Sequence, residues 1–159
     1  MEELTFRTAE ERDSGLILSF IKALAAYEKM SDEVVATEEL LKEWLFEKQS
    51  AEVLFACENG KEVGFALFFH NFSTFVGRAG LYLEDLYVLP EYRGKGYGKA
   101  ILKRLAAIAV KRGCGRMEWV CLDWNKPSMD FYRSLGARPM DEWTIWRVTG
   151  ETLDKLAKD

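Results

Sequence analysis

The stretch VLPEYRGKGYGK, residues 88–99, decides the fold. An apolar strand runs out near Leu89, Pro90 breaks its ladder, and glycines follow at 94, 96 and 98 before a helix begins. Glycines in such a turn permit positive φ angles and a close backbone approach. The amides at a helix start, together with the aligned peptide dipoles, favour a bound phosphate. Arg93, Lys95 and Lys99 add positive charge to the same place. Walker A is excluded, because Lys99 is followed by Ala100 rather than Ser or Thr. The dinucleotide fingerprint GxGxxG is also excluded, since the third glycine is Gly98 and not residue 99. A pyrophosphate carried by another cofactor fits better. By itself, a glycine-rich turn leaves a plain tight connection as the alternative.

Downstream, residues 98–112 predict a helix with Ile101, Leu105 and Ile108 on one line, stopped by Gly113. GRMEWVCL (115–122) reads as a buried strand, and a short helix after Asn125 is closed by Gly136. Residues 137–148 predict one or two closing strands, DEWTIWRV alternating well, and the tail from Glu151 suits a frayed helix. Upstream, ELTFRT (3–8) alternates as a strand, and Thr8 with Glu11 fits a capping box. Leu16, Ile17, Phe20, Ile21, Leu24 and Tyr27 mark a helix, and Thr37 caps another carrying Leu40, Leu41, Trp44 and Leu45. AEVLFACE (51–58) and KEVGFALFFH (61–70) form a hairpin around Asn59-Gly60, a loop spans 71–78, and AGLYLEDLYVL (79–89) is the strand that feeds the turn. Antiparallel strands followed by a strand–helix–strand crossover predict an α+β domain, with a mixed, mostly antiparallel central sheet flanked by helices. No linker divides it, so residues 1–159 are expected to be one domain.

The composition, 48% hydrophobic and 30% charged, is that of a folded chain. A net charge of −4 argues against nucleic acid as a partner. Cys57, Cys114 and Cys121 form no CxxC pair and His70 is the sole histidine, so no metal site is expected. The N-terminus has no signal-like apolar run and no segment reaches 18 apolar residues, which predicts a cytoplasmic protein without a membrane partner.

Arg93-Gly94-Lys95-Gly96-Tyr97-Gly98 satisfies the coenzyme signature of the GCN5-related N-acetyltransferase superfamily, which the sequence resembles in the order of its elements along nearly the whole chain. LAAYEKM (24–30), LYLEDLYVLPEYRGKGYGKAILK (81–103) and WNKPSMDFYRSLGA (124–137) are most similar to the diamine and thialysine acetyltransferase branch. The resemblance implies acetyl-CoA as cosubstrate, coenzyme A as product, a small cationic amine as substrate, and a homodimer. It implies that backbone groups of Leu86, Tyr87 and Val88 bond the pantetheine arm, and that Arg93, Gly94, Lys95, Gly96, Tyr97, Gly98 and Lys99 wrap the pyrophosphate. Asn125 and Ser128 position the coenzyme and Tyr132 stands near its sulfur. Tyr27 and Glu28 match residues that line the amine tunnel, and Glu84 the acidic residue that assists deprotonation; apart from the resemblance, Glu84 and Asp85 are carboxylates available to hold the amine. The acidic loop after Ala137 is shorter than in those relatives.

Glu84 lies in an otherwise apolar strand, where a carboxylate is costly unless water or a cation receives it. A substrate ammonium is such a cation, and a water on Glu84 can carry its proton away. Strict alternation places Leu83 and Asp85 on one face, with Glu84 on the other beside Tyr82 and Leu86. Tyr132, with a reference pKa of about 10, suits the general acid; a core tyrosine is the alternative. Cys57 and Cys121 are read as small hydrophobes in strands, and Cys114 as lacking a histidine to activate it. Direct attack in a ternary complex is therefore expected. The rival readings are an acetyltransferase acting on another amine, such as an antibiotic or a protein N-terminus, and a coenzyme-binding module without chemistry.

Overall fold

A computed structural model describes residues 3–158. The chain resolves into two compact units, one running to Val120 and the other beginning at Cys121. The first unit is built on a five-stranded sheet: β1 (Leu4–Thr8), β2 (Glu52–Glu58), β3 (Lys61–Ser73), β4 (Arg78–Val88) and β5 (Met117–Glu118), in that spatial order. The first three pairings are antiparallel and the last is parallel. A parallel pair needs a crossover. Here it is α3 (Tyr97–Lys111), which buries Ile101, Leu102, Leu105 and Ala109.

Two helices precede the hairpins. α1 (Ser14–Tyr27) buries Ile17, Phe20 and Leu24, spaced at three and four residues, against Phe55, Phe65 and Tyr87 of the sheet. Phe20 stacks on Phe65 at 5.1 Å, and Phe55 and Phe65 are fully enclosed. Burying each such side chain contributes roughly 1.5–3 kcal/mol. α2 (Glu38–Leu41) begins at Thr37, whose hydroxyl accepts from Leu40 N–H at 3.1 Å, and runs on as a π-helical turn over Lys42–Glu47.

Several sequence expectations are corrected. The capping box ahead of α1 pairs Glu10 with Asp13, not Thr8 with Glu11: the Asp13 carboxylate accepts from the Glu10 N–H at 2.7 Å. Half of the segment 71–78 is strand, because β3 continues to Ser73 and β4 starts at Arg78, leaving a turn over 74–77. The strand expected over 115–122 shrinks to Met117–Glu118, since β4 offers it partners only at Leu81 and Tyr82.

In the second unit, α4 (Lys126–Ser134) starts at Asn125, and its end is followed by Gly136 at φ 92°. α5 spans Gly150–Lys158. The closing strands expected over 137–148 are not formed among the described residues. Alternation alone does not make a strand; its backbone needs a paired neighbour. Trp143 and Trp146 are 75% and 90% exposed.

Candidate active site

The turn after β4 is built as the sequence predicts. Leu89 N–H bonds Val63 C=O at 2.9 Å, and a short 3-10 turn covers Pro90–Tyr92. Gly94 and Gly96 then adopt φ of 81° and 80°, the left-handed conformation that a side chain resists. The first ladder bond of α3 is Ala100 N–H to Gly96 C=O, so the amides of residues 97–99 lie ahead of the ladder. A Cβ placed on Gly94, Gly96 or Gly98 would meet no neighbouring atom within 4 Å. Open space before a helix mouth is what a diphosphate requires. The residues fit the group.

The cations of this turn are more committed than the sequence suggested. Arg93 donates from Nε to the Val88 carbonyl at 3.0 Å, with its guanidinium 5.2 Å from the Tyr27 ring and 5.1 Å from that of Tyr87. Lys95 Nζ lies 3.0 Å from Glu58 Oε1. Lys99 is exposed. Beyond Tyr82 no described strand pairs with the outer edge of β4, so Leu86, Tyr87 and Val88 lie on an edge without a strand neighbour.

A β-bulge reshapes the acidic part of β4. Leu67 pairs with Asp85 but the next residue, Phe68, pairs with Leu83, leaving Glu84 as the extra residue. Neighbours on β3 point to opposite faces, so Leu83 and Asp85 do too; the alternation expected from sequence is corrected. Tyr82, Asp85 and Tyr87 share the α1 face, while Leu83, Leu86 and Val88 share the α3 face. The sequence does carry a hint of this. The Leu83-to-Leu86 spacing of three fits neither a regular strand nor a clean break.

The bulge gathers three carboxylates. Glu28 follows the last residue of α1, and Glu84 and Asp85 come from β4. Burial, reinforced by the negative charges of Glu84 and then Glu28, pushes the Asp85 carboxyl up to about 7. Burial and then Glu84 also raise Glu28. Burial followed by Glu84 and Glu118 raises the Tyr82 phenol. Neighbouring negative charge thus adds to burial in raising both Glu28 and Asp85. A cation entering here relieves that repulsion.

In the second unit, the Asn125 side chain accepts from the Ser128 N–H at 3.3 Å and so caps α4, which also carries Tyr132. Cys57 is a buried member of the core, and burial raises its thiol. Cys121 lies in no strand, contrary to expectation; its sulfur approaches the Leu122 and Asn125 carbonyls. Cys114 does have a histidine beside it, with Sγ 3.8 Å from His70 Nδ1. That ring is already engaged, because Nδ1 is 3.1 Å from the Gly80 carbonyl and Nε2 is 3.0 Å from Arg112 Nη1. Arg112 in turn grips both oxygens of Glu52. The fold brings His70 and Cys114 together across β4 and α3, from 44 positions apart in sequence, which no local motif announces.

The model of the Acetyltransferase (GNAT) family matches residues 18–137. The chain belongs to that family. The family uses acetyl-CoA as cosubstrate, and membership makes this chain an acetyl-CoA-dependent N-acetyltransferase. Among its relatives, the thialysine N-epsilon-acetyltransferase of Bos taurus is 41% identical over 99% of both chains. The L-ornithine N5-acetyltransferase of Arabidopsis thaliana is 43% identical over 60% of this chain and 42% of its own length. The fold matches an integron cassette protein from the mobile metagenome of V. cholerae with a TM-score of 0.81 and 30% identity, covering 98% of each chain. Like these relatives, the chain carries the acetyltransferase sheet with helices around it. No helix of the described residues is long and apolar enough to cross a membrane.

Proposed function

We propose that this enzyme transfers an acetyl group to a primary amine of a small polyamine or basic amino-acid analogue, by direct attack in a ternary complex. The observation that carries this reading is the meeting of Glu28, Glu84 and Asp85 around the β4 bulge, a few residues ahead of the coenzyme turn. The substrates named for the thialysine and ornithine enzymes, basic amino acids with a side-chain amine, agree with an acidic pocket.

When bound, acetyl-CoA supplies the activated acyl group. Leu86, Tyr87 and Val88 offer strand-edge groups to its arm, while Arg93, Gly94, Lys95, Gly96, Tyr97, Gly98 and Lys99 enclose the diphosphate. Asn125 and Ser128 are assigned to the coenzyme on resemblance. Tyr27, Glu28, Glu84 and Asp85 receive the amine: their carboxylates and ring hold a cation as water would. A free alkylamine has a pKa of about 10 and must lose a proton before it attacks. Glu84 accepts that proton through a water, and Asp85 shares the load as a coupled neighbour whose basicity suits neutral pH. Tyr132 holds, on its phenol oxygen, the proton that the departing sulfur needs.

The family match spans parts of both compact units, which supports reading residues 1–159 as one N-acetyltransferase domain. Exposed Trp143, Ile145 and Trp146 favour a homodimer, and the acidic balance speaks against a nucleic-acid partner; a cytoplasmic enzyme without a membrane partner is proposed with them. Steady-state assays with thialysine, ornithine, spermidine, spermine and diaminopropane test the substrate class. Turnover of at least one with saturable kinetics is expected; activity confined to an aminoglycoside or a peptide N-terminus would refute it.

A further inference from the structure

Glu58 is the last residue of β2, immediately before the Asn59-Gly60 turn, and its side chain is only 7% exposed. A buried carboxylate is costly unless partners surround it. Two residues of the coenzyme turn are among its partners. Lys95 Nζ lies 3.0 Å from Oε1, and the Tyr97 hydroxyl donates to the same oxygen. Tyr97 is itself buried and is the first residue of α3. The two glycines with left-handed backbone, Gly94 and Gly96, flank Lys95. A segment this rich in glycine has many conformations open to it, and fixing one costs entropy at the moment of binding.

We infer that Glu58 is a positioning residue for the coenzyme: it latches Lys95 and Tyr97 so that the amides of the turn and the mouth of α3 are set before the diphosphate arrives. This rests on the coenzyme binding at residues 93–99. The latch runs from the far end of a hairpin, 37 residues away in sequence from Lys95. Lys95 serves this contact and neutralises a carboxylate that would otherwise repel the incoming anion.

Charge and positioning predict opposite effects, which makes the inference testable by calorimetric titration with coenzyme A. Removing an anion beside an anion site tightens binding by Coulomb's law alone. Loss of the latch weakens it. Glu58→Ala is expected to raise the coenzyme Kd about tenfold, and Tyr97→Phe several-fold, on the scale of one or two charge-assisted hydrogen bonds. Glu58→Gln loses the charge but keeps an oxygen for the Tyr97 hydroxyl, so it is expected to bind at least as tightly as the wild type. The double variant Glu58→Ala/Tyr97→Phe should be no weaker than Glu58→Ala, since both act through one contact. Turnover at saturating acetyl-CoA should change less than twofold in Glu58→Ala, with the loss confined to its KM. If Glu58→Ala does not fold, the contrast between Tyr97→Phe and Glu58→Gln carries the same test. Unchanged or tighter binding in Glu58→Ala overturns the inference, as do equal losses in Glu58→Gln and Glu58→Ala, or multiplying losses in the double variant. Failure of the wild type to bind coenzyme A would instead remove the reading of the turn on which it depends.

Discussion

The coenzyme turn and the acidic cluster sit at successive points of one strand, yet they handle charge in opposite ways. In the turn, Lys95 is held by Glu58, and Arg93 is held by the Val88 carbonyl and two aromatic rings. What remains for a ligand is mostly backbone, left-handed glycines and amides ahead of a helix ladder, together with the exposed Lys99. In the cluster, burial and then the negative charge of Glu84 push Glu28 and Asp85 toward the protonated state, and Glu28 adds to the push on Asp85. The first region is settled before its ligand comes; the second gains its balance from a ligand. A coenzyme common to a whole family suits a preformed backbone cradle, whereas a particular amine is selected by side-chain charge that it alone satisfies.

The largest expected effect breaks the first half of this contrast. Gly96→Val forces a β-branched residue to φ near 80° and fills the open space beside the helix mouth. Coenzyme A affinity should fall roughly a hundredfold or more, counting strain and lost contact together. Titration calorimetry measures it, and unimpaired binding would mean that the diphosphate lies elsewhere.

The next effect sharpens the second half. Asp85→Asn should lower kcat/KM for the amine about a hundredfold, within the range for loss of a general base. The limb of the pH–rate profile near 7 should move in the same variant. A profile unchanged in shape would assign that limb to another group.

How much of this was legible in the sequence follows from how far apart the cooperating residues lie. The turn was readable because its glycines, its helix start and its strand end are contiguous over residues 88–99. The hairpin at Asn59-Gly60 was readable for the same reason: both residues adopt the positive φ that their types allow. Glu28 was reached by resemblance, but its coupling to Glu84 depends on α1 ending over β4. The bulge was missed because alternation assumes a partner in unbroken register, and β3 supplies one that is a residue short. Glu58 was missed since nothing near it in sequence hints at Lys95 or Tyr97. His70 and Cys114 were separated for the same reason. The strands expected over 137–148 failed because alternation describes one face of a strand and says nothing of what pairs with its edge.

A smaller effect concerns stability. Burial and the neighbouring carboxylates raise the Asp85 carboxyl in the folded state from the ordinary aspartate range to about 7. The protonated group therefore favours the folded state fully below pH 4, and this contribution is lost as pH rises to 7. Asp85→Asn escapes that loss. Without ligand, the variant should melt several degrees above the wild type at pH 8, corresponding to about 2–3 kcal/mol, and level with it at pH 4. A constant difference across this range would point to packing in place of charge.

The most direct test of the central claim is the titration of the Asp85 carboxyl carbon by NMR, assigned by comparison with Asp85→Asn, with coenzyme A present and with and without thialysine. Without amine the carboxyl should titrate near 7; with the ammonium bound it should stay ionised to well below that value. A carboxyl that titrates in the ordinary aspartate range, or one indifferent to the amine, would contradict the reading of this cluster as a place prepared for a cation.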